Sequence, residues 1–450
     1  MRVLVWGINY HPEQVGIAPY NTALCESLTR EGHDVEMVST FAYYPMWKKA
    51  AGDRWRLFRS DTIGGVPVHR CWHFVPRRPS GLRRIVHEAS FVVTSTLRML
   101  MLKRADVMVV VSPPLLLGAA AWLVGLLKGA PHVLHIQDLQ PDAAVGLGML
   151  DRPWLIGLLR WLERFNYWTA ARVSVNSEGM FRALTERGVE RLVYFPNWVL
   201  TNTTEVKQGA FRKARGIGSD EFVLLYSGNI GIKQGLELIV EAAVRVKEIR
   251  LIICGDGAAR PALEELIAAR GALNVTLLPL QEEEDYQRMM ADADVCVISQ
   301  RGGTGVAFFP SKLLSCAAFG KPVLAVTDRD SELARVVMEE TLGLWVERRD
   351  VEEVAEAMRG LRGSRAILNE WGRNGRGYAA RFEEERVLRD FDGVLEELAE
   401  PMRTSVERPV QEPALAMLPR AVRREQDVPC RPKHDDQVEK RRPVLDVKHV

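Results

Sequence analysis

The stretch FVLLYSGNIGIKQGLELIVEAAVRVKEIRLIICGDG, residues 222–257, decides the fold. Within it, FVLLYS (222–227) and RLIIC (250–254) are short runs of Val, Ile and Leu without polar alternation, as a strand covered on both faces requires. Between them lie a glycine-rich turn, Gly228-Asn229-Ile230-Gly231-Ile232-Lys233-Gln234-Gly235, and an apolar helix beginning near Leu236. Strand, turn, helix and strand in that order are the unit of a parallel sheet. Glycines let the backbone approach an anion closely, a helix N-terminus supplies free N–H groups, and Lys233 adds a mobile cation. The turn therefore has the chemistry of a diphosphate site, with Gly228, Asn229, Gly231, Lys233 and Gln234 as candidates.

The same pattern continues through NVTLL (274–278), DVCVI (294–298), PVLAV (322–326) and LGLWV (342–346). Two further strand ends carry polar turns. Gly255-Asp256-Gly257-Ala258-Ala259-Arg260 lacks the third glycine of a dinucleotide fingerprint, because Arg260 stands there. Arg260 is read either as a phosphate contact or as a solvated first residue of the next helix. After DVCVI comes a glycine-rich loop with Thr304 and Gly305, then Pro310-Ser311-Lys312-Leu313, where a helix starts that Ser311 or a neighbour caps. A cation in a first helical turn opposes the helix dipole unless an anion is close, so Lys312 points to a ligand.

Upstream, RVLVW (2–6), DVEMVS (34–39), DVMVVV (106–111), HVLHI (132–136) and RVSV (172–175) form a second series of buried strands alternating with helices. The chain thus reads as α/β, with two doubly wound Rossmann-like domains facing a central cleft. The boundaries are 1–197 for the first domain, 198–370 for the second, 371–399 for a charged helical region expected to pack back toward the first, and 400–450 for a tail. Residues 401–450 carry seven prolines and no Phe, Trp or Tyr, the composition of a disordered segment. Ligands of open α/β sheets bind beyond the carboxyl ends of the strands. In the first domain those ends present His11, Glu13 and Gly16 after RVLVW, and Asp138 after HVLHI.

Bulk composition excludes several classes. A net charge of +2 gives no general attraction to nucleic acid. The six cysteines show no CxxC pairs or Cys/His clusters, which indicates a reducing compartment and no structural zinc. The N-terminal apolar run is too short for an export signal, and Pro113 and Pro114 divide the apolar stretch 107–127 into a strand and a helix. The expected location is the cytoplasm, with peripheral contact at the inner face of the cell membrane. Asp328-Arg329-Asp330 is explained by turn chemistry, and no metal or other cofactor is expected.

Five stretches together, NYHPEQVGIAPY, LHIQDLQPDAAVGLG, SGNIGIKQGLE, CGDGAAR and FPSKLLSCAAFGKPVLA, make residues 1 to about 397 resemble retaining glycosyltransferase family 4 of the GT-B type. The similarity is to its bacterial surface-polysaccharide branch, which includes colanic acid transferases. The resemblance implies a nucleoside-diphosphate-sugar donor held by the second domain, with Lys233 near the diphosphate and the PSKL helix start near the nucleotide. It implies a lipid-linked glycan acceptor against the first domain near Gly16, with His11, Glu13 and Asp138 facing the reacting sugar. Catalytic roles fall on Asp138, His11 and Lys233. Many family members have glutamates at the positions of Ala307 and Ser315, which here are not acidic. That departure keeps open a non-catalytic homologue serving as a binding or assembly subunit. A further alternative on the same fold is a nucleotide-sugar epimerase, which needs an acid/base pair of carboxylates around the sugar and which the resemblance disfavours.

Residues 77–104 hold seven Lys or Arg against the single acid Glu88, interleaved with Leu82, Ile85, Val86, Phe91, Leu97 and Leu100. Such a basic amphipathic segment is suited to an anionic membrane surface. The alternative is a helix whose apolar residues are core.

Overall fold

The computed structural model describes residues 1–76, 81–146, 148, 150–200, 206–303, 309–347, 350–363 and 365–400, with backbone alone at 81 and 82. Thr304, Gly305, Ala307 and the tail from 401 lie outside the described residues.

Each apolar run of the sequence forms a strand. The first sheet contains β1 (Arg2–Trp6), β2 (Asp34–Thr40), β3 (Phe58–Ile63), β4 (Val66–Cys71), β5 (Val107–Ser112), β6 (His132–Ile136), β7 (Arg172–Val175) and β8 (Leu192–Tyr194). Their order is β3-β4-β2-β1-β5-β6-β7-β8, parallel except where β3 runs against β4. The second sheet contains β9 (Phe222–Ser227), β10 (Ile249–Cys254), β11 (Val275–Leu278), β12 (Val295–Ser299), β13 (Val323–Thr327) and β14 (Gly343–Glu347). Its order is β11-β10-β9-β12-β13-β14, parallel throughout.

In each sheet the chain winds outward from one strand, returns, and winds the other way. The reversal lies between β1 and β5 in the first sheet and between β9 and β12 in the second. Loops leave such neighbours in opposite directions and open a crevice at their carboxyl ends. The turns after Trp6, Ser227 and Ser299 therefore line the crevices.

The hairpin β3–β4 escaped the sequence reading because FRSDTI has no apolar run. Its strands are joined at Gly64-Gly65, both at positive φ, and that dipeptide is a hairpin signal. The five described cysteines are free and buried. No described helix is long and apolar enough to cross a membrane.

Helix 384–399 follows the second domain in sequence but packs on the first. Phe391 is buried and stacks on Phe195, with ring centroids 3.8 Å apart and 7° between planes. His33 Nε2 lies 2.9 Å from Asp392, Arg172 pairs with Glu397 at 3.0 Å, and Trp198 Nε1 donates to Glu384 at 3.1 Å. Truncating a buried aromatic removes its transfer free energy and leaves a cavity. Phe391→Ala should cost about 3–5 kcal/mol of first-domain stability, read as a lower denaturant midpoint of first-domain probes. An unchanged midpoint would mean that the helix is not part of that core.

Candidate functional site

The second-domain wall is built from backbone packed against backbone. Gly228 N donates to Cys254 O at 2.9 Å and Ile230 N to Asp256 O at 2.8 Å, so the turns after β9 and β10 lie side by side. Gly255 has φ +153°, and a Cβ there would sit 1.8 Å from Gly228 O. At Gly257 a Cβ would sit 2.4 Å from Ile230 O. These two glycines brace the first turn. Arg260 takes part in the same bracing: Nη1 donates to Gly255 O at 2.6 Å and Leu278 O at 2.9 Å, and Nε donates to Glu264 at 2.8 Å. Arg260 is the first residue of helix Arg260–Arg270, as one of its two readings had it, and its guanidinium turns to backbone carbonyls instead of to solvent. Asp256 accepts from Gly257 N at 2.6 Å.

The lysine turn is fixed from both sides. Gly231 N donates to Gln234 Oε1 at 3.1 Å, and Arg301 N, on the loop after β12, donates to Lys233 O at 2.6 Å. Ser311 stands at the N-cap of helix Lys312–Ala318 without a side-chain capping bond, and lies near Tyr20 of the first domain, whose hydroxyl donates to Trp198 O at 3.5 Å. Leu313 is buried in the core and Pro310 O accepts from Leu313 N at 3.0 Å. Lys312 Nζ lies 3.8 Å from the Tyr226 ring centroid and donates to the Tyr226 hydroxyl, which in turn donates to Asn229 O at 2.5 Å. Lys312 also passes beneath Gly228, where a Cβ would come 3.1 Å from its Nζ. Ser315 lies near Tyr286.

The first-domain wall follows β1 and β6. Glu13 is buried; it accepts from Asn9 Nδ2 at 2.7 Å and from the backbone N–H groups of Tyr43 and Tyr44, both at 2.8 Å. Burial raises its pKa despite those bonds. Glu13 thus ties the loop after β1 to the loop after β2, and places Tyr44 beside Gly16, whose φ is +70°. His11 is exposed and is held by its backbone, with N donating to Thr22 Oγ1 at 3.1 Å. Its ring has no hydrogen bond among the described residues. Beyond β6, Gln137 accepts from Asn176 Nδ2 at 2.6 Å and donates to Asn197 at 3.1 Å, which fixes the strand end.

The two walls meet at Asp138, whose Oδ2 accepts from Lys233 Nζ at 2.9 Å. Both side chains are about a third exposed, at 28% and 33%, so this pair sits at an accessible mouth and not in a sealed core. Tyr44 is close enough to Asp138, Arg84 and Tyr226 for their charges to interact. Glu88 accepts from Gln140 Nε2 at 3.2 Å, and burial raises its carboxyl to about 7. Tyr44, Tyr226 and Glu88 were not candidates from sequence. Glu88 had a signal, as the one acid of a basic stretch; the tyrosines had none.

Two family models divide the chain along the observed domains: "Glycosyl transferase 4-like domain" over residues 15–198 and "Glycosyl transferases group 1" over 207–378. The Escherichia coli K12 protein WcaI, named for colanic acid biosynthesis glycosyl transfer, is 33% identical over 409 residues, covering 87% of this chain and 98% of that protein. The chain is a family 4 glycosyltransferase. Its GT-B fold is shared with solved structures. Sucrose-phosphate synthase from Thermosynechococcus elongatus gives a TM-score of 0.69 at 18% identity, covering 88% of this chain and 98% of that one. Anabaena HepE, solved in complex with UDP-glucose, gives 0.65 at 14% identity, covering 88% and 100%.

For this glycosyltransferase, burial pushes Lys312 down to about 7. Its folded pKa therefore lies below the unfolded value of about 10.4. Between those values the unfolded chain holds more protons, so the lysine's penalty on stability is full below pH 7 and fades as pH rises toward 10. Lys312→Met should stabilise the ligand-free protein most at pH 6–7 and least near pH 10, by denaturant titration at each pH. A pH-independent difference would contradict the buried, depressed state.

Proposed function

We propose that this glycosyltransferase moves a sugar from a nucleoside diphosphate sugar to a lipid-linked glycan during polysaccharide assembly, with retention at the anomeric carbon. The observation that carries the reading is the 2.9 Å pairing of Lys233 with Asp138 across the cleft. It brings the cation of the glycine-rich turn to the carboxylate of the opposite strand end. A diphosphate arriving at Lys233 exchanges one anionic partner for another, and leaves Asp138 facing the sugar. The colanic acid role in the name of the Escherichia coli relative and the UDP-glucose in the HepE structure support the class of product and donor.

In this reading Lys233, Lys312 and the turn N–H groups stabilise the negative charge that develops on the departing diphosphate. The bond from the anomeric carbon to that phosphate oxygen breaks while the acceptor oxygen bonds to the same face. The departing phosphate oxygen takes the acceptor's proton. Asp138 stabilises the positive charge that builds on the sugar ring. The step needs no metal, because lysines and backbone dipoles supply the counter-charge. Such a donor is met in the cytoplasm, so the acceptor's glycan is met at the inner membrane face.

Lys233→Ala should lower turnover about 10- to 1000-fold, the scale for removing a group that stabilises a leaving anion. The assay is acceptor-dependent release of nucleoside diphosphate, with donors first ranked by thermal shift. Unchanged kinetics would place the diphosphate elsewhere, and donor conversion without acceptor would favour an epimerase.

Asp138→Asn should reduce kcat more than it raises the donor's Kd, because the lost interaction grows in the transition state. A loss confined to nucleoside diphosphate affinity would remove Asp138 from the sugar side.

A further inference from the structure

Three neighbouring helices of the first domain, 81–101, 116–128 and 153–169, leave a large apolar face uncovered. Helix 153–169 repeats Trp154, Trp161 and Trp168 at seven-residue intervals, which puts them on one side. They are 66%, 60% and 78% exposed. Trp161 stacks on Phe165 at 5.8 Å, Trp168 leans on the same ring at 6.4 Å, and Trp122 of helix 116–128 meets it edge-on at 5.3 Å. The aromatic patch is thus continuous across two helices. It extends through exposed Leu126 and Leu127, and helix 81–101 adds Val93, Leu97 and Met101. The core does not claim these side chains, because the inward sides of the same helices are filled by Phe91, Leu117, Val124 and Tyr167. A contiguous apolar surface of this kind marks an interaction site.

Cations outnumber acids on this face, although Asp142 lies 3.8 Å from Arg160 and Asp151 is exposed beside Arg152. Arg160 and Arg164 are exposed among the tryptophans, Arg152 precedes them, and Lys103 and Arg104 follow the first helix. The acids of the three helices are not presented outward: Glu163 is buried 3.6 Å from Arg187, Glu88 is bonded by Gln140, and helix 116–128 has none. Arg98 also turns inward, to Ser60 at 3.0 Å and His69 at 2.8 Å, so the face is not simply the basic segment 77–104 of the sequence reading.

We infer that this three-helix face seats the protein on an anionic bilayer, with the tryptophans at headgroup depth and the arginines on lipid phosphates. Indole rings favour the interface, and cations near an anionic leaflet add to apolar burial. A second copy of the chain is a poorer occupant, because a two-fold contact would bring this cationic rim against itself. The segment that leads into this face borders the cleft. Helix 153–169 follows segment 140–146, whose Gly146 O would lie 3.0 Å from a Cβ on Gly303, beside the loop after β12. This deepens the reading of a lipid-linked acceptor, and it is tested without turnover, so its failure leaves the activity assay untouched.

The full-length protein is mixed at low salt with vesicles of phosphatidylglycerol and phosphatidylethanolamine, or of phosphatidylcholine alone, and floated. The wild type should bind the anionic vesicles, with blue-shifted tryptophan emission and quenching by brominated lipid. The variant Trp154→Ser/Trp161→Ser/Trp168→Ser should bind at least 10-fold more weakly, and Arg160→Gln/Arg164→Gln should lose most of the preference for anionic lipid. All these residues are exposed, so thermal midpoints should be retained. If the triple variant misfolds, Trp161→Ser and the quenching decide. Equal binding by wild type and variants overturns the inference. So does wild type that ignores vesicles and forms a dimer dispersed by the triple variant.

Discussion

The close approach of two strand-end turns governs this molecule. Where a Cβ on Gly255 would fall 1.8 Å from Gly228 O, no side chain fits, and the turn after β10 can press directly on the turn after β9. That contact holds Gly228 at φ +126° and leaves room for Lys312 to pass beneath it. It also sets where Lys233 emerges. The glycine that touches no ligand is thus as demanding as the glycines that would, and Arg260, bonded to the same carbonyls, closes the brace.

From that brace the electrostatics follow. The second domain holds two lysines near the cleft in surroundings of differing polarity, and one of them meets a carboxylate of the first domain. Lys233 meets Asp138 where water reaches both, and Lys312 is sunk against Tyr226. One cation is mobile and screened, the other held in place at a cost that a bound anion would offset. Glu13 and Glu88, by contrast, are carboxylates kept from water, and the first organises loops through backbone N–H groups.

Legibility in the sequence followed the physics of each feature. Strands buried on both faces declare themselves as runs such as VMVVV, so all six strands of the second sheet and five of the eight in the first could be written down in advance, the short β8 and the β3–β4 hairpin excepted. The β3–β4 hairpin is half-exposed and polar, and showed only in Gly64-Gly65. Asp138 and Lys233 were each legible as strand-end residues, but their contact spans 95 positions and depends on how two domains meet. Ser311 does occupy the cap position, but its hydroxyl makes no capping bond, because its backbone is helical there, and residue type alone does not carry that. The exposed tryptophans had no signal of their own: a seven-residue apolar repeat reads as core until the packing shows which side of the helix is covered.

The chain passes between the domains twice, once near Val199 and again near Phe382, and Val199 N donates to Phe382 O at 3.0 Å. Two covalent crossings tied to each other leave little freedom to slide or twist. The remaining easy motion is rotation about the line through that bond, like a door on two pins set close together. A rotation of one domain on the other about these crossings would carry Lys233 along an arc that begins and ends at Asp138.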